Sequence, residues 1–249
     1  MRQRSAQAEN FDQLARRQSE TLLAFRDLDR LNAVFRHSDP FRVTLPRWLG
    51  PARCERLEIL DLGAGTARLG QRLTAWAGQR GWRWRFTNLD LNRYALELGA
   101  APRAVSGSAL ALPFENGSFD LVIASQMTHH LATEALVAHL REAWRVTRDA
   151  VLLCDLHRNG GLYVLVWLLG RFLCAHSPTC ADALISVRRG FRIGEWHAAA
   201  RAAGLTEARV WLYWGARIVL QARKHGQTAN ASSATCPPAD GLCSSQSRK

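Results

Sequence analysis

The 249-residue sequence predicts a doubly wound α/β domain, and three observations support this prediction. From residue 57 onward, short apolar runs alternate with helix-like segments. The run EILDL at 58–62 ends in the turn GAGT at 63–66, which leads into a helix. FDLVIA at 119–124 is apolar enough to be buried on both faces, as central parallel strands are. Strands separated by single helices form a parallel sheet with right-handed crossovers.

The region 1–56 is expected to form helices that lead into the first strand. Apolar side chains recur at mixed spacings of three and four between residues 11 and 35. Pro40 and Pro46 are predicted to end this pattern. Such helices suit an amphipathic cover on the main domain, a lid over a substrate, or both.

Four elements are predicted after the glycine-rich turn. A helix is expected over 67–77, and a strand over 82–90, where aromatic residues alternate with arginines. A helix over 92–98 and a short strand over 103–105 follow. Glycine in the turn at 63–66 tolerates unusual dihedral angles, and the helix after it presents free N–H groups to a ligand. This half of the chain therefore suits a nucleotide-like ligand.

Asp90 ends the second predicted strand, 25 residues after Gly65. In nucleotide-binding α/β folds, an acid at this place hydrogen-bonds ribose hydroxyls. The two oxygens of one carboxylate suit a vicinal diol. The other interpretation is that Asp90 caps the helix over 92–98.

The second half of the domain continues with a strand over 119–124, a helix over 133–146 and a strand over 151–155. The apolar run over 162–170 is too short to span a bilayer, which needs about 20 residues. It is interpreted as a buried helix, a helix that lines an apolar pocket, or a helix that touches a membrane surface. The sequence leaves these alternatives open.

The C-terminal part is predicted to end in a β-hairpin. Residues 177–193 are basic and loop-like, and a helix is expected over 195–203. Two strands over 208–214 and 216–221 then flank Gly215. From residue 224 the sequence is rich in Ser, Ala, Pro and Gly without periodicity, which predicts a disordered tail.

The composition indicates which kinds of binding partner and which cellular compartment are expected. The net charge is +12, but only two of the 33 basic residues are lysines, and the arginines form no long run. This pattern favours dispersed surface charge over a nucleic-acid partner. The six cysteines have no CxxC spacing, so no metal site is predicted. The polar first 20 residues contain no apolar leader, and a cytoplasmic location is expected.

Two adjacent histidines, His129 and His130, follow the fourth predicted strand. Ligands bind at the carboxyl ends of strands in open α/β sheets, and histidine is a suitable base near neutral pH. Either histidine could instead bond backbone or face solvent. His157 is a further candidate base, whereas Cys154 is interpreted as a buried strand residue.

These motifs together resemble the class I S-adenosylmethionine-dependent methyltransferases over about residues 57–223. The matching segments are DLGAGT at 61–66, NLDL at 88–91, SALALPF at 108–114, SFDLVIASQMTHHL at 118–131 and the final hairpin. The resemblance implies a Rossmann-like, seven-stranded, mostly parallel sheet with helices on both faces and an antiparallel C-terminal hairpin. It also implies three parts, namely an N-terminal cover or lid (1–56), the methyltransferase domain (57–223) and the tail (224–249).

The resemblance also implies a set of site residues and S-adenosyl-L-methionine as the cofactor. The cofactor would contact the turn, the acidic strand end and the adenine side, through Asp61, Gly63, Ala64, Gly65, Asp90, Leu91, Ser108, Ala109 and Ser125. His129 and His130 would be the catalytic residues. Ser108 stands where the family often has an acid, and Ala67 where it often has a third glycine.

The branch of the family that the sequence resembles methylates quinone precursors, phenolics and polyketide-like products in secondary metabolism. The expected function is methylation of oxygen or carbon on an apolar small molecule. A nucleic-acid methyltransferase and a nucleotide-binding module without catalysis are the alternatives. Peripheral membrane contact is compatible with the first reading, and the oligomeric state is left open.

Overall fold

The computed structural model describes residues 35–173 and 178–224, preceded by Met1, residues 3–7, Glu9, Phe25, Leu28, Asp29, Asn32 and Ala33. Much of the predicted N-terminal helical region lies outside the described residues. The predicted disordered tail lies outside them as well, apart from Lys224.

Seven strands form one mixed sheet in the order β3-β2-β1-β4-β5-β7-β6. They are β1 (Arg56–Leu62), β2 (Arg83–Asp90), β3 (Ala104–Ser106), β4 (Phe119–Ser125), β5 (Thr147–Leu156), β6 (Arg209–Tyr213) and β7 (Arg217–Arg223). The first five strands pair in parallel, whereas β7 runs antiparallel to both β5 and β6. The predicted sheet, including its antiparallel C-terminal hairpin, is confirmed.

Helices cover both faces of this sheet. They are α1 (Asp39–Leu49), α2 (Pro51–Cys54), α3 (Arg68–Gly78), α4 (Arg93–Leu98), α5 (Thr133–Val146), α6 (Gly160–Leu173), α7 (Pro178–Arg189) and α8 (Ile193–Ala202). On one face, α5 and α8 pack Leu140 and Trp196 against the strands. On the other, α1 and α3 pack Phe41 and Leu73. Among the described residues, no helix has the length and apolar character needed to cross a membrane.

The parallel pairing brings the ends of three strands to one edge of the sheet. Leu62 at the end of β1 pairs with Leu89 of β2 and with Ala124 of β4. Asp90 and Ser125, each one residue further along, therefore lie at the same edge as Asp61. Residues that are far apart in the sequence meet here because the strands run in the same direction.

Pro40 and Pro46, which were predicted to end the helical pattern of residues 11–35, both lie inside the next helix, α1. Pro40 occupies the first turn of α1, where its fixed φ and missing N–H are tolerated. Pro46 lies inside the helix, where proline costs about 3 kcal/mol or more. Phe41 and Leu45 are fully buried, and each such side chain contributes about 1.5–3 kcal/mol by burial. Packing on the sheet thus outweighs the local penalty.

The prediction of a basic loop over 177–193 was also wrong, because most of this segment is helix α7. Its inner face is buried through Ile185 and Val187, and α7 packs on α6. The hydroxyl of Ser186 donates to Glu9 Oε1 at 2.8 Å and contacts Asp182 O at 3.0 Å. The partners that bury this helix come from other parts of the chain, so the local sequence could not indicate them.

Gly99 marks a close approach between α4 and the glycine-rich turn. A Cβ at this position would overlap the carbonyl group of Thr66. Gln71 of α3 also donates from Nε2 to Gly99 O at 3.0 Å. The glycine therefore lets α4 pack directly against the backbone of the turn.

We predict that Gly99→Ala destabilises the protein by about 1–3 kcal/mol, because backbone has to move to admit the methyl group. Gly78→Ala is the matched control, since a Cβ there meets no atom within 4 Å in the part of the chain that the structure describes. The free energy of unfolding in urea measures both. Equal stabilities of the two variants would contradict the close approach.

Candidate active site

A cavity of about 660 Å³ opens at the carboxyl edge of the sheet. This volume is within the usual range for small-molecule sites, about 300–1,000 Å³. All the residues predicted to bind the cofactor or to act in catalysis line this cavity: Asp61, Gly63, Ala64, Gly65, Asp90, Leu91, Ser108, Ala109, Ser125, His129 and His130. The structure therefore brings the whole predicted set into one space.

The glycine-rich turn connects β1 to α3 through left-handed backbone. Gly63 and Gly65 have φ of +67° and +54°. A Cβ on Gly63 would also overlap the side chain of Met127, whereas one on Gly65 would meet only Phe25, at 3.7 Å. Gly63 thus has two reasons to be glycine, its conformation and its close packing.

Ala67, which stands where the resembled family often has a third glycine, also has a positive φ, of 55°. A left-handed conformation costs an alanine about 1–2 kcal/mol. The residue is fully buried, and its N–H bonds Ala64 O at 2.8 Å. The position is therefore occupied by alanine at a conformational cost.

Asp90 holds the turn through its carboxylate. Oδ2 accepts from Gly65 N and Oδ1 from Asn92 N, both at 2.7 Å. Burial raises the pKa of Asp90, while these two N–H groups act to lower it. The helix-capping role weighed for Asp90 belongs to Asn92, whose Oδ1 accepts from Ala95 N at 3.2 Å. Asp90 is left at the cavity wall, with oxygen lone pairs available to a ligand.

Asp61, at the end of β1, is buried with one oxygen unsatisfied. Its Oδ2 has no hydrogen-bond partner among the described residues, and neither does the buried Oγ of Ser125. Burial, with a further contribution from Asp90, raises the pKa of Asp61 to about 8. An unpaired buried carboxylate is costly, and a cationic or hydrogen-bonding ligand group would relieve that cost. The residues at this end of the cavity fit the amino-acid part of S-adenosylmethionine.

Ser108, Ala109 and Leu91 line another wall of the cavity. The Oγ of Ser108 accepts from Leu110 N at 3.1 Å, so its hydroxyl hydrogen can still be donated. Leu91 is 76% exposed and presents an apolar surface suited to a flat ring. This wall therefore offers one hydroxyl and apolar contacts, without a carboxylate at position 108.

His129 forms a buried pair with Asp155 at the end of β5. His129 Nδ1 lies 2.7 Å from Asp155 Oδ1, and His129 N donates to Oδ2 at 2.9 Å. Thr128 Oγ1 and Leu156 N also donate to this carboxylate. Burial opposes the charge of Asp155, but His129 and these donors lower its pKa to about 2. The carboxylate therefore stays charged and orients the imidazole with Nε2 on the opposite side.

Glu9, from the N-terminal segment, lies against both histidines. Its Oε1 is 3.6 Å from His129 Nε2, and its Oε2 is 3.8 Å from His130 Nε2. Arg189 Nη1 lies 3.9 Å from Oε1, on the same side as Ser186. Neither Glu9 nor Asp155 was predicted from the sequence as a site residue. The acid that ends the predicted strand 151–155 was the available signal for Asp155, whereas nothing local indicated Glu9.

Glu9, His129 and His130 could together hold a metal ion, since their ligand atoms lie within 4.8 Å of one another. The carboxylate of Glu9 is already bound by Ser186 and paired with Arg189. The absence of a metal site, expected from the sequence, stays a prediction.

Two other candidates lie away from this chemistry. His157 does not line the cavity, and its Nδ1 lies 3.2 Å from Gly215 O. The prediction of His157 as a candidate base was therefore wrong, because this residue lies away from the cavity. Cys154 is buried in β5, and burial raises the pKa of its thiol to about 12. It is the buried strand residue that the sequence predicted.

Part of the chain that contains five of the seven strands matches a known family. Residues 60–154 match the family model described as "Methyltransferase domain", which covers β1 to β5 up to Cys154. A comparison with curated protein sequences gives no match.

Solved structures share the fold at low sequence identity. Human N-acetylserotonin methyltransferase, in complex with S-adenosylmethionine, has a TM-score of 0.60 at 15% identity, over 86% of this chain and 58% of the human chain. Magnesium protoporphyrin IX methyltransferase of Synechocystis, with bound S-adenosylhomocysteine, has a TM-score of 0.52 at 15% identity, over 76% and 83%.

A third structure covers almost its whole length. An S-adenosylmethionine-dependent methyltransferase of Thermotoga maritima has a TM-score of 0.53 at 16% identity, over 82% of this chain and 98% of that chain. Family match, sheet order and site geometry agree. Residues 60–154 therefore match a methyltransferase domain, and the chain has the fold of these neighbours, two of which are described with bound S-adenosylmethionine or S-adenosylhomocysteine.

Proposed function

We propose that the protein transfers the methyl group of S-adenosylmethionine to an oxygen or carbon of an apolar small molecule, of the phenol, quinol or polyketide-like class. One observation carries the proposal: His129, which is held by the buried Asp155, lines the same cavity as the glycine-rich turn. A base oriented by a carboxylate is suited to the removal of a proton from an acceptor hydroxyl.

At the cofactor end, the geometry supports a role for five of the predicted residues. The unsatisfied oxygen of Asp61 and the hydroxyl of Ser125 would bind the methionine part. Asp90 would accept from the ribose hydroxyls, in addition to the N–H groups it already holds. Gly63 and Gly65 allow the ligand to approach the backbone. The cofactor supplies a methyl group already activated by its sulfonium.

The acceptor end of the cavity is walled mainly by apolar side chains. They are Phe25, Leu28, Phe35, Leu131, Leu162, Val166 and Val187. Such walls exclude water and favour an acceptor with a large apolar part. The named substrates of two neighbours, N-acetylserotonin and magnesium protoporphyrin IX, are small molecules with aromatic rings, which is consistent with this class.

His129 is the better supported of the two candidate bases. Its Nδ1–H is held by a charged carboxylate, so Nε2 can take the proton from an acceptor hydroxyl while Asp155 stabilises the resulting imidazolium. His130 lies beside it, with the ring centroids 4.3 Å apart. We assign to His130 a contact with the acceptor. When the acceptor is a carbon nucleophile, the same pair would remove the proton that leaves.

In this proposal, the N-terminal residues cover the bound acceptor. Glu9, Phe25, Leu28, Asn32 and Phe35 all line the cavity. We propose that region 1–56 closes the acceptor end and that 57–223 holds the catalytic domain.

The free thiols of Cys54 and Cys154 suit a reducing cytoplasm, and the acceptor class suits secondary metabolism.

Incubation with cofactor carrying a labelled methyl group and a panel of phenols, quinols and fatty-acyl resorcinols tests this function. Label transfer to the more apolar members of the panel is the expected result. Transfer only to RNA or DNA, or to no member, would contradict the acceptor class.

Peripheral membrane contact is part of the same proposal, and α6 supports it. Leu162 and Val166, four residues apart, line the cavity from one side of the helix. Val164, Leu165 and Leu168 are 53%, 46% and 44% exposed, as part of the outward side. A helix with an apolar outer side next to an apolar acceptor pocket is suited to take its acceptor from a lipid surface.

The double variant Leu165→Gln/Leu168→Gln is expected to lose most of the binding to phosphatidylcholine vesicles, since it removes apolar surface from the outward side of α6. Co-sedimentation measures the bound fraction. Val43→Gln is the matched control, because Val43 is 37% exposed on α1. Equal binding of the wild type and both variants would contradict this contact.

The pKa of Asp61 makes cofactor binding depend on pH. Because this carboxyl is protonated below about pH 8 in the free protein, binding of the cofactor's ammonium group at pH 7 should release close to one proton. Calorimetry in two buffers of different ionisation enthalpy measures this proton. Asp61→Asn should bind more weakly and release none. A wild type that releases no proton would contradict the assignment.

The same group gives a second measurable effect, without the cofactor. A carboxyl whose pKa is raised in the folded state binds its proton more tightly there than in the unfolded chain. The free energy of unfolding should therefore fall as pH rises from about 4 to about 8, and fall less in Asp61→Asn.

We predict that Asp155→Asn lowers turnover by about 10²–10⁴-fold, the usual contribution of a general base, while cofactor affinity holds. The amide can neither fix the same tautomer nor stabilise an imidazolium. His129→Ala should show a similar loss, and His197→Gln, an exposed site on α8, should show none. Circular dichroism controls for folding. Full activity in a folded Asp155→Asn variant would show that the pair is not the base.

A further inference from the structure

A second cavity, of about 470 Å³, lies outside the candidate active site. It is lined by residues 157–160 and 192–194 together with Met1, and none of these lines the first cavity. Gly160 begins α6 and Ile193 begins α8, so the starts of two helices meet here.

Both helix starts are suited to bind an anion. A helix leaves its first N–H groups without intrahelical partners, and its dipole makes this end positive. The helices have 14 and 10 residues. Gly160 and Gly194 carry no side chain, and a Cβ on either would meet no atom of the described residues within 4 Å. The space in front of the two helix starts is therefore open to a ligand.

Arg158 supplies an independent indication of a missing ligand. It is 2% exposed and lines this cavity. Its Nη2 donates to Glu195 Oε1 at 2.6 Å, but Nε and Nη1 have no partner among the described residues. Buried N–H groups of a cation are costly when left unsatisfied, and an oxyanion is the partner that a guanidinium binds best.

Positive charge predominates around the cavity. Arg192 is exposed at its rim and donates from Nη2 to Met1 O at 2.6 Å. The pKa of Arg4 is lowered, chiefly by burial and then by Arg189, with a further contribution from Arg158. Glu195 offsets part of this charge through its bond to Arg158.

We propose that this second cavity is a binding site for a phosphate-type oxyanion, formed by the starts of α6 and α8 with Arg158 and Arg192. The anion would be either a free phosphate group or the headgroup phosphate of an anionic phospholipid. A phospholipid headgroup is compatible with the apolar outer side of α6, because this helix begins at the second cavity. None of the residues of this anion site lines the candidate active site. The proposal can therefore be tested separately from the proposed methyl transfer.

Two experiments test the site. The first is calorimetric titration of the full chain with inorganic phosphate at constant ionic strength. The second is co-sedimentation with phosphatidylcholine vesicles, with and without phosphatidylglycerol. Arg192→Gln removes a charge at the rim. Arg201→Gln removes the same charge from the last turn of α8 and is the control. Gly194→Asp places a negative charge in the cavity at the second helical position, where an acid favours the helix, so this variant should fold.

Saturable phosphate binding that weakens about tenfold in Arg192→Gln and disappears in Gly194→Asp, but holds in Arg201→Gln, supports a site for free phosphate. The same pattern only with vesicles that contain phosphatidylglycerol supports a lipid headgroup site. Absence of saturable binding to either probe, or equal weakening in Arg192→Gln and Arg201→Gln, overturns the proposal.

Discussion

A buried carboxylate has to be hydrogen-bonded, paired with a cation or neutralised, and the carboxyl edge of this sheet depends on how three acids meet that constraint. Asp155 receives donors from Thr128, His129 and Leu156, and its pKa falls to about 2. Asp90 receives two N–H groups and keeps a raised pKa. Asp61 keeps an unsatisfied oxygen, and its pKa rises to about 8. The three acids therefore differ in state: Asp155 is charged and bonded to His129, Asp90 bonds the glycine-rich turn, and Asp61 keeps an oxygen without a partner among the described residues.

The N-terminal segment completes the site from outside the sheet. Arg4 Nη2 donates to the carbonyls of His129 and Leu131, at 2.8 and 2.7 Å. Glu9 lies between the histidines and α7. These contacts hold the turn after β4 in place on the side opposite to Asp155. The part of the cavity next to His129 and His130 thus depends on residues separated by more than 100 positions in the chain.

Sequence reasoning was most successful where one local pattern decides the structure. The strand–turn–helix at Gly63 and the alternating aromatic strand that ends at Asp90 follow from glycine conformation and side-chain periodicity. It failed where packing overrides local preference. Pro46 stays inside α1 because the helix is buried on the sheet, and α7 is a helix because α6 and Glu9 bury its inner side. The choice of Asn92 over Asp90 as the cap depends on where the carboxylate lies, which adjacent residues do not reveal.

By itself, the sequence determined the order of the seven strands along the chain, the glycine-rich turn and the residues at the carboxyl ends of β1, β2 and β4. These features are short-range consequences of glycine, alternation and apolar runs. Only the tertiary structure decided that His129, not His157, meets an acid, that Glu9 reaches the same cavity, and that Arg158 lies buried at the meeting point of two helices. Contacts between distant segments depend on strand register and helix packing, which no local pattern encodes.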